Sequence, residues 1–394
     1  MNILLIGIQG TYNYGCEAIV RGTSAILHGM YPDVRIYYLS PVRYADDEKR
    51  LKGAGVNIIH YDRGIRRRIF VNKVLRHFKL PFTISKYSRR YLKKFDAVFS
   101  IGGDIYTIWS NGLYHKELVN LGNFCERINV PYILWGCSVG PFEKNLEIKR
   151  IFREHLSRIS LIVAREPATI DYLRSMGIED NVIFSFDPAF SVPSVTNATR
   201  PDGKTLGVNL SPLSIKYFNL EEMECVKIHA EMIAELILRY SYKIILLPHV
   251  VDCEPRDNDF LYLKKVYEAI PQELSKEVRL VDNDPGFAGI KEEIKQCQAV
   301  IAARMHCAIN SIASGVPAIF LSYSAKAKGM SKAVYGTEEY SVPLTTFCKD
   351  NAETIKALID KVRIPEGLDV SINNKDNVKQ RLDRLIKRGS ANAT

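Results

Sequence analysis

The sequence predicts an α/β protein with two Rossmann-like domains that face a cleft, an architecture of the glycosyltransferase-B type. The chain has 394 residues, and one hydrophobic core stops growing near about 250–300 residues, so two domains are expected. Short runs rich in Val, Ile, Leu and Phe alternate with helix-length amphipathic stretches. Runs that are apolar at nearly every position are typical of strands buried on both faces, which indicates parallel sheets flanked by helices.

Twelve apolar runs are the predicted strands, seven in the first half of the chain and five in the second. Each is short enough for a strand, and helix-length amphipathic stretches separate them along the chain. In chain order they are Asn2–Ile8, Val34–Ser40, Val56–Tyr61, Ala97–Gly103, Tyr132–Val139, Leu161–Arg165, Val182–Asp187, Leu206–Leu210, Lys243–His249, Val278–Val281, Val300–Arg304 and Ala318–Ser322.

The domain boundary is predicted from composition. Ser191–Lys204 is polar, contains two prolines and shows no apolar periodicity, which is typical of a linker. We therefore predict an N-terminal Rossmann-like domain over residues 1–195 and a C-terminal one over residues 205–375. Residues 376–394 are predicted to form a basic C-terminal helix or tail, a candidate to cross back onto the first domain.

Export and membrane insertion are not indicated by the sequence. The N-terminus lacks the basic region and cleavage site of a signal peptide, and no apolar run approaches the ~20 residues that span a bilayer. The eight cysteines include no C-x-x-C pair, which argues against a zinc ribbon and a disulfide framework. We expect a cytoplasmic protein without a metal site, soluble or attached to the inner face of the membrane.

The positive charge of the chain is concentrated in one segment. Of a net charge of +10, Arg63–Lys94 contributes twelve Lys or Arg and no Asp or Glu, with apolar side chains between them. Anionic membrane lipid and nucleic acid both suit such a segment. Because no helix-turn-helix or zinc-finger signature accompanies it, we predict no nucleic acid partner and favour a membrane contact. A solvated basic surface and a groove for an acidic sugar stay open.

Glycines and polar residues follow the first and fourth predicted strands, where ligands of open α/β sheets gather. The first strand ends in a glycine-containing loop, Gly7–Gly15, that includes Asn13 and does not have G-x-G-x-x-G spacing. A tight turn and a ligand-lining loop are both consistent with it. Gly102, Gly103 and Asp104 end another strand and predict a backbone cradle with one carboxylate. The alternative is that Asp104 caps the following segment.

A candidate anion-binding arginine closes the sixth predicted strand. Arg165 precedes Glu166 and a proline that opens a helix. Its guanidinium could clamp a phosphate or carboxylate, or form a surface ion pair with Glu166 or Asp171. Asp187, in D-P-A-F, is interpreted as a turn residue.

The second half brings most of its cations to strand ends. His249 follows one strand and is either a substrate-binding group or a buried, hydrogen-bonded histidine. Arg304 and His306 end the strand before a helix, whose N-terminus adds partial positive charge. Lys326 and Lys328 come just past the next strand. Together these residues predict a site for a small polyanion, unless they are unrelated loop residues.

The ordered set of motifs resembles the polysaccharide pyruvyl transferase family. Each motif is weak alone, but together they span residues 7 to 330 in the order of the family. One departure is Cys16, where the family usually has Asp before Glu17, which puts acceptor recognition or catalysis in doubt. The motifs are G-x-Q-G-x-Y-N-Y-G-x-E-A-I, Gly102-Gly103-Asp104, A-R-E-P around Arg165, Asp187–Phe190, Arg304–His306 and Tyr323–Gly329.

The resemblance implies a donor, an acceptor and roles for the candidate residues. The donor is phosphoenolpyruvate, and the acceptor is a sugar, usually in a bacterial surface polysaccharide or its lipid-linked precursor. The N-terminal domain would be the acceptor side and the C-terminal domain the donor side. Arg304, Arg165 and Lys328 would hold the donor's anionic groups, His306 would donate a proton and Asp104 would act as general base.

Two other functions remain open from the sequence. A nucleotide-sugar glycosyltransferase would have the same architecture, and a non-catalytic scaffold of the same fold is the third alternative. No cofactor is predicted, and the sequence leaves open whether a divalent metal assists.

Overall fold

Thirteen strands form two parallel sheets in the computed structural model, which describes residues 1–42, 44–78, 85–109, 111–192, 204–251, 255–282, 284–322, 325–368 and 375–391. The chain divides into two compact units. The first comprises residues 1–11, 19–188 and 371–394, and the second comprises residues 12–18 and 189–370. Each unit contains one sheet, so the fold class of two Rossmann-like α/β domains is confirmed.

The first unit contains a seven-stranded sheet of order β3-β2-β1-β4-β5-β6-β7. Ile3 in β1 lies opposite Ile36 in β2 and Ala97 in β4, in parallel register. The strands are β1 Asn2–Ile6, β2 Arg35–Leu39, β3 Val56–Ile59, β4 Ala97–Ile101, β5 Tyr132–Cys137, β6 Leu161–Ala164 and β7 Val182–Phe184. The helices are α1 Tyr14–Met30, α2 Tyr44–Arg50, α3 Arg63–His77, α4 Arg89–Leu92, α5 Lys116–Arg127, α6 Leu146–Leu156 and α7 Pro167–Ser175, with α15 Lys375–Ala391 near the C-terminus.

The second unit repeats this topology in a six-stranded sheet of order β10-β9-β8-β11-β12-β13. Val300 in β11 lies opposite Gly207 in β8 and Ala318 in β12. The strands are β8 Thr205–Asn209, β9 Lys243–Leu246, β10 Val278–Leu280, β11 Ala299–Ala302, β12 Ala318–Ser322 and β13 Ser341–Pro343. The helices are α8 Leu213–Phe218, α9 Glu222–Tyr240, α10 Asp259–Glu268, α11 Gly286–Ile294, α12 Met305–Ala313, α13 Ala325–Tyr335 and α14 Ala352–Lys361.

Burial on both faces explains why the strands were visible in the sequence. In β4, β5, β6 and β11 every residue is buried, and each of the twelve predicted strands overlaps an observed one. The strand β13 was not predicted, because three residues ending in a proline at the sheet edge give no apolar run.

The helix after β1 begins earlier than the sequence suggested. It begins at Tyr14, within the predicted Gly7–Gly15 loop, because the Asn13 carbonyl accepts hydrogen bonds from the backbone N–H groups of Cys16 and Glu17. Residues 12–18, which include its first turn, are grouped with the second unit rather than the first.

The C-terminal helix α15 belongs to the first unit. The Tyr31 hydroxyl donates to Asp383 Oδ1 at 2.7 Å, and Arg381 Nη1 donates to the Asp180 carbonyl at 2.7 Å. Most of the predicted linker, residues 193–203, lies outside the described residues. Within the described ranges, no helix combines the length and the apolar character needed to cross a membrane.

Candidate functional site

The order of strands reverses between β8 and β11 in the second unit, and ligands of open α/β sheets bind beyond the carboxyl ends of strands at such a point. Arg304 comes two residues after β11, and α12 begins directly after it. The predicted residues Arg304 and His306 therefore occupy the strand end and the first helical turn at this switch point.

The Arg304 guanidinium is held by two carboxylates. Its Nε and Nη2 donate to Asp259 Oδ1 at 3.1 and 2.9 Å, and Nη2 also donates to Asp257 Oδ1 at 2.6 Å. Burial alone would lower the pKa of Arg304, but the two carboxylates outweigh it and keep the group charged. Its side chain is 13% exposed, and among the described residues Nη1 has no hydrogen-bond acceptor.

Asp259 connects residues at the carboxyl ends of three strands, β8, β9 and β11. Its Oδ2 accepts from the backbone N–H groups of His249 and Val250 at 3.2 and 3.0 Å, and from Asn209 Nδ2 at 3.3 Å. Asn209 in turn accepts the Arg304 backbone N–H at 2.8 Å through Oδ1. Because both Asp259 and Asn209 are fully buried, this network fixes Arg304 with little freedom.

His306 packs against the first turn of α1. A Cβ at Gly15 would come within 2.5 Å of His306 Cγ, so only a glycine fits there without a shift. The same segment is joined to the end of β9, because the Tyr14 N–H donates to the His249 carbonyl at 3.0 Å. The first turn of α1, with Gly15 next to the imidazole, therefore forms one side of the surroundings of His306.

Asn13 and Glu17 have structural partners within the second unit. Asn13 Oδ1 accepts from the Gly15 N–H at 2.9 Å, a local turn that occupies the side chain predicted to bind substrate. The buried Glu17 accepts from the Phe287 N–H at 3.1 Å, at the N-terminus of α11. A carboxylate is stabilised there by the helix dipole, which explains an acidic residue in this motif.

His249 is buried, with Tyr14 and Phe287 edge-on to its ring. Burial, with the nearby His306 and Arg304, lowers the pKa of His249 well below its ordinary value. Neither ring nitrogen has a hydrogen-bond partner among the described residues. It therefore differs from the hydrogen-bonded core histidine considered as the alternative from the sequence.

Lys326 and Lys328 lie in the first turn of α13, directly after β12. Cations at a helix N-terminus are disfavoured by the macrodipole, so their presence there raises the local positive potential further. Lys328 is exposed, and no carboxylate of the described residues pairs with it. The flanking Tyr323 and Ser324 lie outside the described residues.

Arg165 is the corresponding buried arginine of the first unit. Its Nη1 donates to Asp187 Oδ2 at 2.7 Å, its Nη2 to Asp104 Oδ1 at 3.1 Å and its Nε to Ser138 Oγ at 2.9 Å. The alternative of a surface ion pair with Glu166 or Asp171 is wrong, because the side chain points into the protein and is fully buried.

Gly103, the second glycine of the Gly102–Gly103 pair, makes room for this arginine. A Cβ at Gly103 would come within 2.5 Å of Arg165 Nη1, and Gly102 has a φ of +128°, which non-glycine residues rarely adopt. The pair was predicted to cradle a ligand, and in the structure Gly103 accommodates the guanidinium of Arg165. Asp187, interpreted from the sequence as a turn residue, is in addition the buried partner of Arg165.

The two arginines share one arrangement. Each follows a strand, each pairs with a fully buried aspartate, and each pairs with a second aspartate that keeps solvent contact. The exposed partners are Asp104, whose side chain is 56% exposed, and Asp257, at 46%. Sequence reasoning missed Asp257, Asp259 and Asn209. The sequence did contain one signal for them, their position along the chain. Asn209 lies in a predicted strand near its carboxyl end, and Asp257 and Asp259 follow the predicted strand that ends at His249.

Comparisons with known proteins bear on the whole chain. The polysaccharide pyruvyl transferase family model matches residues 13–325. The amylovoran biosynthesis protein AmsJ of Erwinia amylovora is 23% identical over 430 residues, covering 98% of this chain and 96% of that protein.

Solved structures share the fold. The UDP-GlcNAc 2-epimerase of Methanocaldococcus jannaschii has a TM-score of 0.57 at 12% identity, covering 98% of this chain and 100% of that one. The Neisseria meningitidis UDP-GlcNAc 2-epimerase bound to UDP-GlcNAc also has a TM-score of 0.57 at 12% identity, covering 98% and 99%. At such identities the likeness shows the fold alone, two Rossmann-like domains of the glycosyltransferase-B type.

The two partners of Arg304 predict unequal effects on stability. Asp259→Asn breaks a buried ion pair, which costs about 3 kcal/mol and should lower the melting temperature by about 6–12 °C. Asp257→Asn, the matched control, removes a half-exposed partner and should cost less than about 1 kcal/mol. Differential scanning calorimetry measures both. Equal shifts for the two variants would contradict the unequal roles of these carboxylates.

Proposed function

Because the chain belongs to the polysaccharide pyruvyl transferase family, we propose that it transfers the pyruvyl group of phosphoenolpyruvate onto two hydroxyls of a sugar. The product is a pyruvate ketal in a bacterial surface polysaccharide or its lipid-linked precursor. The similarity to a protein of amylovoran biosynthesis supports a polysaccharide acceptor.

The proposed reaction balances without a redox partner. The methylene carbon of phosphoenolpyruvate takes up one proton and becomes the methyl group, while C2 gains oxocarbenium character. One sugar hydroxyl adds to C2, the bond from C2 to the phosphate oxygen breaks, and the second hydroxyl closes the ketal. The two hydroxyl protons account for the new methyl hydrogen and for the proton on the released inorganic phosphate.

The observation that carries the donor assignment is the set of cations that follow two adjacent strands of the second unit, Arg304 after β11 and Lys326 and Lys328 after β12. Phosphoenolpyruvate carries a phosphate and a carboxylate, and fixed cations are what binds such a ligand. Arg304 is held by Asp259 yet has no acceptor for Nη1 among the described residues. We propose that Arg304 Nη1, Lys326 and Lys328 bind the anionic groups of the donor.

His306 is the proposed proton donor, to the methylene carbon or to the leaving phosphate. An imidazole can both donate and accept a proton, as general acid catalysis requires. His249 is not suited to that role, because its lowered pKa leaves the ring uncharged at neutral pH. We assign His249 a role in shaping the donor site through its contacts with Tyr14 and Phe287.

Asp104 of the first unit is the proposed base for the acceptor hydroxyl. Arg165 Nη2 holds its Oδ1 at 3.1 Å while more than half of the side chain stays exposed. All three guanidinium nitrogens of Arg165 already donate to protein oxygens. We therefore propose that Arg165 positions Asp104, rather than binding the donor as expected from the sequence.

Replacing His306 tests the proposed chemistry. His306→Asn should lower kcat for transfer of labelled pyruvate into lipid-linked glycan by about 10²–10⁴-fold, the usual contribution of a general acid. The KM for phosphoenolpyruvate should change little. His28→Asn, which alters a histidine hydrogen-bonded within α1, is the control. Turnover by His306→Asn within about threefold of the wild type would contradict the role of His306 as general acid.

A membrane contact through α3 fits a lipid-linked acceptor, and we propose it for this helix. Phe70, Val74 and Phe78 are spaced four residues apart and lie on one exposed stripe, with Phe70 65% and Phe78 69% exposed. Exposed cations flank the stripe, among them Arg66 and Arg67. An apolar stripe bordered by cations is typical of helices that lie at anionic lipid surfaces.

The stripe predicts the binding of lipid vesicles. The double substitution Phe70→Ser and Phe78→Ser should weaken cosedimentation with phosphatidylglycerol vesicles at least tenfold, because two exposed rings no longer enter the interface. Leu146→Ser, at an apolar residue of α6 that is even more exposed, should bind as the wild type does. If the double variant still sediments like this control, or the wild type prefers uncharged vesicles, the membrane role of α3 is excluded.

A further inference from the structure

A cavity of about 820 Å³ lies wholly within the first unit. Its floor is the carboxyl end of β1 and β2, at Ile6, Gly7 and Leu39, and its walls include α3 and α5. This volume lies within the ~300–1,000 Å³ of small-molecule sites, and its place beyond the strand ends follows the rule for open α/β sheets.

The lining of the cavity combines amide side chains with aromatic rings. Amides both donate and accept hydrogen bonds, so they match hydroxyl groups, which do the same. Aromatic rings supply rigid apolar faces with little loss of conformational entropy. The amides are Gln9, Asn72, Asn120 and Asn123, and the rings are Tyr61, Tyr87 and Phe124.

The charges around the cavity are mixed. Lys86 pairs with Glu117, and both line the cavity. Glu126 adds a further carboxylate near Arg127 and Arg158. Lys116 also lines the cavity, so four cations stand against two carboxylates. The lining suits a ligand that is rich in hydroxyls and carries no charge or a small negative one.

We propose that this cavity binds the sugar ring of the acceptor, a site that rests on the proposed function for its role in pyruvyl transfer. The first unit then recognises the acceptor through amides and rings, and the second recognises the donor through cations. Gly7 in the cavity floor abuts the Ile101 carbonyl, three residues before Asp104. The strand that ends at the cavity therefore neighbours the strand that carries the proposed base.

Helix α3 joins this cavity to the proposed membrane surface. Ile69 and Asn72 line the cavity from the helix, while Phe70 and Val74 belong to its exposed stripe, which Phe78 continues one residue past the helix. An acceptor anchored in the membrane by its lipid would have its sugar beside the same helix. The basic segment would then hold the lipid-anchored acceptor next to the cavity, a role that its positive charge alone does not indicate.

A substitution that fills the cavity tests the proposal. Asn120 lines the cavity from α5 and is exposed at its surface, so Asn120→Trp adds bulk without disturbing the core. Arg150→Trp, at an exposed position of α6, is the matched control. With lipid-linked glycan extracted from the native host, Asn120→Trp should raise the acceptor KM at least tenfold and leave the KM for phosphoenolpyruvate unchanged. Phe124→Leu, which removes a ring but keeps an apolar side chain, should raise the acceptor KM by a smaller factor.

Acceptor KM values equal to those of Arg150→Trp would overturn the proposal. Saturation-transfer NMR with the glycan released from the same extract tests binding without turnover. Glycan signals from the wild type and from Arg150→Trp, but not from Asn120→Trp, would support the cavity even if no pyruvate were transferred. Failure of the donor chemistry and failure of the acceptor site are thus distinguished.

Discussion

A buried arginine at a strand end, paired with one buried and one exposed carboxylate, is the interaction on which each unit depends. A guanidinium cannot lose its proton in a protein, so its burial requires permanent counter-charges. Arg165 obtains them from Asp187 and Asp104, and Arg304 from Asp259 and Asp257. The glycines, amides and turns nearby are constrained because these ion pairs leave little space and few unpaired donors.

This arrangement separates structural from chemical groups. The fully buried aspartates hold strand ends together and cannot meet a substrate, whereas the exposed ones keep contact with solvent. In the second unit the fixed arginine directly precedes the helix that carries His306, and its Nη1 has no acceptor among the described residues, which favours an anionic donor. In the first unit all nitrogens of Arg165 are used, and the cavity formed by α3 and α5 offers amides and rings instead. The proposed division between donor and acceptor follows from this chemical difference.

Much of the fold was predictable, but the partners within the sites were not. Apolar runs revealed twelve strands because burial on both faces leaves a strong pattern, whereas β13 is too short to give one. The cationic residues at strand ends could be found because the strands that they follow were recognisable in the sequence. Their carboxylate partners could not, because Asp187 is 22 residues from Arg165 and Asp259 is 45 residues from Arg304. The cavity likewise combines residues of β1, α3 and α5 that only the folded chain brings together.

The most direct test of the account is donor binding by the wild type and by Arg304→Lys, measured as the rise in melting temperature. Lysine keeps a positive charge for Asp259 but lacks Nη1. Phosphoenolpyruvate at 100 times its Kd should stabilise the wild type by about 2.7 kcal/mol. Its affinity for Arg304→Lys should fall at least tenfold, and UDP-GlcNAc should not stabilise either protein. Stabilisation by UDP-GlcNAc and not by phosphoenolpyruvate would contradict the account.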